Sequence, residues 1–178
     1  AGPQGPSGEG IPNGTQLNQI SYWNGSIWVT LNPGSYGQSL TICNGNLQWG
    51  PCLPLLSTNS ISNVGTTLAI SGGSISNDGG GSISNRGICW GINPNPTTSL
   101  DTKTSDGNGS GSFHSELSNL IPNTNYYVRA FATNSAGTAY GNQINFSTNP
   151  VVIPGVISTS ISNISARAAT GGGEVTGD

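Results

Sequence analysis

Residues 160–163, Ser-Ile-Ser-Asn, repeat residues 60–63 at an offset of 100 positions. At the same offset Pro154, Ala169, Gly172, Gly173 and Asp178 match Pro54, Ala69, Gly72, Gly73 and Asp78. A period near 100 residues is the size of one β-sandwich domain and marks a tandem, rod-like array. The second copy has room for only two strands before Asp178. Two strands are marginal in water. The expectation is therefore a window onto a longer array, or a tail that pairs with another subunit.

Composition points the same way. Only 6% of the 178 residues are charged and 33% are hydrophobic, while Gly, Ser, Asn and Thr fill about half the chain. Such a chain lacks the Ala, Leu, Glu and Lys that long helices need. It reads as an all-β, turn-rich extracellular protein. Four Lys+Arg and a net charge of −3 exclude nucleic-acid binding by phosphate neutralisation. No apolar run reaches the roughly 18–20 residues of a membrane helix, so no membrane insertion is expected. No leader pattern opens the sequence, which suggests a mature chain or an excised piece.

Four regions follow from the texture of the chain. Residues 1–10 place Gly2, Gly5 and Gly8 on a period of three, with Pro3 and Pro6 beside the first two, the Gly-X-Y register of collagen. Residues 11–56 hold Trp23, Trp28 and Trp49 with Tyr22 and Tyr36. Here Asn24-Gly25 and Asn44-Gly45 each mark a hairpin. Cys43 and Cys52 flank the second, as strand ends able to meet across a non-hydrogen-bonded pair, and a disulfide would staple a very small module. Residues 57–149 alternate with period two over 66–76, 83–92, 111–120, 125–134 and 141–148, with turn residues between, and predict a seven-stranded sandwich. Residues 150–178 restart it.

One motif within 57–149 is specific. Leu120-Ile121-Pro122-Asn123-Thr124-Asn125-Tyr126-Tyr127-Val128-Arg129-Ala130 resembles the corner before strand F of fibronectin type III domains. The resemblance implies a fibronectin-III/Ig-like β-sandwich in which the Tyr126 hydroxyl bonds upstream backbone. Val128 and Ala130 would then point inward and face Trp90 or Ile88 from the other sheet. Trp90, Tyr126, Val128 and Cys89, the last a free buried thiol, form the expected core.

Residues 57–149 as a whole are similar to fibronectin-III-like repeats of large secreted surface proteins of Bacteroidota. The stretch from Gln19 to Pro54 resembles modules beside collagen-like tracts and aromatic hairpins near the ends of phage tail fibres. That resemblance implies a cell-surface stalk, adhesin or filament at the bacterial surface. It names neither catalytic residue nor ligand.

The residues themselves offer little chemistry. His114 is the only histidine, and with Glu116 it fits a solvated strand face. Seven scattered acids, Asp101 and Asp106 being the nearest pair, form no glycosidase site. The run Asp106-Gly-Asn108-Gly-Ser110-Gly111 imitates a calcium loop, yet Leu117 stands where the twelfth-position acid belongs. Weak calcium binding near Asp106 is the minor reading and a Gly-rich turn the main one, so no cofactor and no enzymatic activity are expected. Tyr22, Trp23, Trp28, Tyr36 and Trp49 are the candidate interface, for another copy of the chain or for surface glycans. The expected function is a self-associating structural or adhesive subunit. A carbohydrate-binding or spacer module of a secreted hydrolase and a phage tail-fibre segment are the alternatives.

Overall fold

The computed structural model describes residues 19–35 and 37–177. The Gly-X-Y segment at 1–10, residues 11–18 and Tyr36 lie outside that range. Thirteen strands and no helix occur among the described residues.

The first four strands make two separate hairpins. β1 (Ile20–Trp23) pairs with β2 (Trp28–Leu31), and β3 (Leu40–Cys43) with β4 (Asn46–Trp49). The second turn is the tight two-residue kind. Asn44 and Gly45 both hold positive φ, 52° and 82°, as a type I′ turn requires. The first turn is longer than the Asn24-Gly25 signal implied. It spans Asn24 to Ile27, because Asn24 Oδ1 accepts the N–H groups of both Ser26 and Ile27 at 3.0 Å and widens the loop.

Seven strands then form the sandwich. β5 (Leu55–Thr58), β6 (Ala69–Asn77) and β8 (Gly111–Leu117) build one sheet in the order β5-β6-β8. β9 (Asn125–Asn134) is the spine of the other. It pairs with β7 (Asn85–Gly91) on one side and with β10 (Gly137–Tyr140) and then β11 (Ile144–Ser147) on the other. Residues 102–106 run along the outer edge of β7, through Trp90 N–H to Thr102 C=O at 3.0 Å and Thr104 N–H to Ile88 C=O at 2.8 Å. This is the strand order of a fibronectin-III-like sandwich. Strand β6 starts at Ala69 rather than 66, because Gly65 N–H bonds Leu68 C=O and closes a turn there. Strand β10, which alternation did not reveal, is the upper half of an edge strand broken at Gly141–Gln143.

The core lies between the sheets, with Phe113 and Leu117 from one and Ile88, Trp90, Val128, Ala130 and Ala132 from the other. Trp90 keeps 6% and Tyr126 5% of its surface. One expectation is corrected here. Val128 and Ala130 do not face Trp90 and Ile88 across the sandwich; they are their ladder neighbours in one sheet, Trp90↔Val128 and Ile88↔Ala130. Residues that both point inward carry no label saying which sheet they belong to. Tyr126 stacks on Phe146 at 6.0 Å between centroids, and its Oη accepts the Ile121 N–H at 3.0 Å.

β12 (Gly155–Ser162) and β13 (Thr170–Thr176) form a last hairpin, exposed along its whole length.

Candidate functional site

The aromatic module is held together by polar contacts as much as by its rings. Trp23 and Trp28 are direct cross-strand partners, edge to face at 5.9 Å. The Tyr22 hydroxyl accepts the Leu47 N–H at 3.1 Å and so ties the first hairpin to the second. Trp49 Nε1 donates to Asn32 C=O at 2.7 Å, and its ring lies against Gly34, where any Cβ would collide with it. Tyr22, Trp23, Trp28 and Trp49 are all half-buried.

Cys43 and Cys52 are joined as a disulfide with a Cα–Cα distance of 5.6 Å. The geometry differs from a cross-strand pair. Cys43 lies opposite Asn46 beside the turn, and Cys52 lies three residues past the end of β4. The chain reverses at Gly50, whose φ is +89°, and returns over the hairpin. Residue 52 is also the docking point on the sandwich. Its N–H donates to Gly79 C=O at 2.7 Å, and its C=O accepts from Asn134 Nδ2 at 2.8 Å. Beside this junction a cavity of about 900 Å³ is lined by Thr41, Ile42, Asn44, Leu53, Asn77 and Ala136. A second, more apolar cleft of about 460 Å³ lies at the other end, among Ile92, Pro94, Leu100, Ile121 and Tyr126.

The residues weighed for chemistry are dispersed. Among the described residues no three His, Cys, Asp or Glu side chains gather as a metal site would need. His114 and Glu116 are exposed on β8. Asp106 is engaged structurally, its Oδ2 accepting the hydroxyls of Thr104 at 2.7 Å and Ser115 at 2.5 Å. In the calcium-like loop, the carbonyls of Gly109 and Ser110 each accept from Arg86 Nη1 at 3.0 Å. The Arg86 guanidinium thus already engages two carbonyls of that loop. Cys89 is fully buried, with its Sγ 3.4 Å from Pro96 C=O, and burial pushes its thiol up to about 11. It stays protonated and unreactive near neutrality.

The last hairpin is the feature with the most specific geometry. Its ladder repeats the central part of β5–β6 at an offset of 100, without the bulge that sets Leu55 opposite Asn77. Leu56↔Ile75, Ser57↔Ser74 and Thr58↔Gly73 recur as Val156↔Val175, Ile157↔Glu174 and Ser158↔Gly173. The Ser62↔Ile70 bridge recurs as Ser162↔Thr170. Even the connection is the same, with φ of 49° at Asn63 and 50° at Asn163. Gly65 N–H to Leu68 C=O at 2.8 Å likewise becomes Ser165 N–H to Ala168 C=O at 2.7 Å. What differs is cover. Leu56, Ile61 and Val64 pack on the sandwich core, whereas Val156 is 69% and Ile164 75% exposed.

No family model matches the chain, and no curated protein sequence does. Among solved structures it is similar to the sensor domain of the anti-sigma factor RsgI4 of Pseudobacteroides cellulosolvens, with 17% identity over 55% of this chain and 96% of that one at a TM-score of 0.42. It is also similar to the third fibronectin III domain of the human KIAA0343 protein, with 17% identity over 70% of this chain and 95% of that one at a TM-score of 0.42. A fibronectin type III domain of the human KIAA0970 protein follows, with 10% identity over 55% and 75% and a TM-score of 0.39.

Proposed function

We propose that this chain is a non-enzymatic structural and adhesive subunit of an extracellular bacterial appendage or surface filament, assembling with copies of itself through β-strand and aromatic contacts. The observation that carries the reading is the register-matched hairpin β12–β13, which repeats the first hairpin of the sandwich at an offset of 100 residues and so marks a tandem array. Strand addition between sheet edges satisfies ladder groups otherwise left to water. Low charge removes the repulsion that guards sheet edges, and the Cys43–Cys52 disulfide suits an oxidising, extracellular setting. Head-to-tail contacts that do not close give filaments, in keeping with a tandem period.

The test is removal of residues 150–178, followed by light scattering and negative-stain microscopy. The intact chain forms extended assemblies and the shortened chain remains monomeric. Equal assembly of the two would refute the role of the hairpin.

A second reading rests on the Trp23–Trp28 pair, whose half-exposed rings could stack on sugar faces. It makes the chain a carbohydrate-binding or spacer module of a secreted hydrolase. Retention on an insoluble polysaccharide, lost in the Trp23→Ala/Trp28→Ala double variant, would favour it.

A further inference from the structure

No Lys, Arg, His, Asp or Glu lies between Glu9 and Asp78, so the aromatic module at 11–56 carries no charged side chain. Charge is what ordinarily keeps a surface with exposed apolar groups hydrated. Five Asn-x-Ser/Thr triplets occur in the chain, beginning at Asn13, Asn24, Asn108, Asn145 and Asn163, and a carbohydrate attached to such a triplet solubilises as charge does.

The structure sets Asn24 apart from the other described triplets. It opens the exposed turn Asn24–Ile27. Its Oδ1 accepts the N–H of Ser26, the hydroxyl residue of its own triplet, and that of Ile27, both at 3.0 Å. Those bonds hold the carboxamide by its oxygen and leave Nδ2 as the uncommitted end of an exposed side chain. At the base of the turn Trp23 and Trp28 face each other across the ladder, half-buried and edge to face at 5.9 Å. The other triplets are committed elsewhere. Asn145 lies within the β11 ladder opposite Tyr127. In the Asn108 triplet the Gly109 N–H donates to Ile83 C=O, and the Gly109 and Ser110 carbonyls accept from Arg86. The Ser165 hydroxyl of the Asn163 triplet donates to Ala168 C=O and accepts the Ala168 N–H.

We propose that Asn24 is a glycan-attachment site and that the first sugar packs on the Trp23–Trp28 pair. A transferase supplies the sugar from a diphosphate-activated donor. The Nδ2–C1 bond forms and the C1–O bond to the diphosphate breaks. The diphosphate leaves with the electron pair, and a base of the transferase takes the Nδ2 proton. A pyranose has an apolar C–H face, and laying it on an indole removes apolar surface from water.

The test uses the folded full chain, a soluble asparagine glycosyltransferase of Asn-x-Ser/Thr specificity and UDP-glucose, with the added hexose located by peptide mapping in a mass spectrometer. Asn24 is expected to fill several-fold faster than Asn108, although both triplets read Asn-Gly-Ser. Synthetic peptides of residues 20–30 and 104–114 fill at similar rates, because they lack the fold. Ser26→Ala abolishes the modification while keeping the backbone N–H that holds Asn24. In the glycosylated chain the hexose C–H protons shift upfield and show NMR contacts to Trp23 or Trp28. No filling of Asn24, or filling of Asn24 and Asn108 in the folded chain at equal rates, overturns the attachment site. A hexose on Asn24 without the shift and the contacts overturns its packing on the pair. Neither result bears on the assembly proposed above, which is read from removal of residues 150–178.

Discussion

The Thr58 hydroxyl takes the place of a missing ladder partner for Ala130. Strand β9 loses its edge neighbour where β10 breaks from β11, and there Thr58 Oγ1 accepts the Ala130 N–H at 2.9 Å while donating to Asn142 C=O at 2.6 Å. Thr58 N–H also donates to Asn142 Oδ1 at 3.0 Å. One buried side chain from the first sheet thus repairs a gap in the second.

Replacing Thr58 by Val keeps the shape and removes the hydroxyl. It leaves a buried N–H and a C=O without partners, so the sandwich loses about 1–3 kcal/mol, read as a lower urea midpoint with unchanged slope. Thr58→Ser, the residue at the equivalent position 158, recovers most of that loss.

Tyr126→Phe removes only the acceptor for the Ile121 N–H and leaves the stack on Phe146. The expected cost is about 1 kcal/mol, and the exchange of the Ile121 amide speeds up more than that of its core neighbours. Uniform acceleration across β9 would argue against a local corner bond.

Cys89 makes stability depend on pH in a defined window. Burial raises its folded pKa to about 11 from an ordinary value of 9.0. Above 9 the unfolded chain ionises and the folded chain does not, so the unfolded chain binds fewer protons. Stability is whole below pH 9 and falls as pH rises towards 11. Urea melts at pH 8 and 11 should show this loss, and Cys89→Ala, though less stable at both, should lack the thiol's contribution to it.

Breaking the disulfide with Cys43→Ser and Cys52→Ser frees a short loop. The aromatic module loses about 2–3 kcal/mol, seen as an earlier tryptophan fluorescence transition. The sandwich keeps its own core and melts later. Simultaneous unfolding of both would mean that docking at Gly79 and Asn134 makes them one cooperative unit.

Several parts of this molecule are readable in the chain because they depend on neighbours in sequence. Asn44-Gly45 specifies its turn through two positive φ angles. The spacing from Leu120 to Tyr126 specifies the corner, where hydroxyl and amide are five residues apart. Period-two alternation locates β8, whose inward residues Phe113, Ser115 and Leu117 are buried and whose outward ones are exposed. The offset of 100 residues marks β12–β13 as a repeat of β5–β6, and the central register agrees, Leu56↔Ile75 with Val156↔Val175 and Thr58↔Gly73 with Ser158↔Gly173.

Tertiary structure decided what alternation leaves open. A strand's pattern says which residues face inward but not which strand lies beside it. Hence only the fold places Trp90 next to Val128 rather than across from it. The Cys43–Cys52 pairing is legible in the chain, but the route by which Cys52 reaches Cys43, a chain reversal at Gly50 rather than strand pairing, is set only by the fold. Thr58 is the extreme case: its hydroxyl serves Ala130 and Asn142, more than seventy residues away, and a contact that distant has no local signature because it exists only once both sheets have packed.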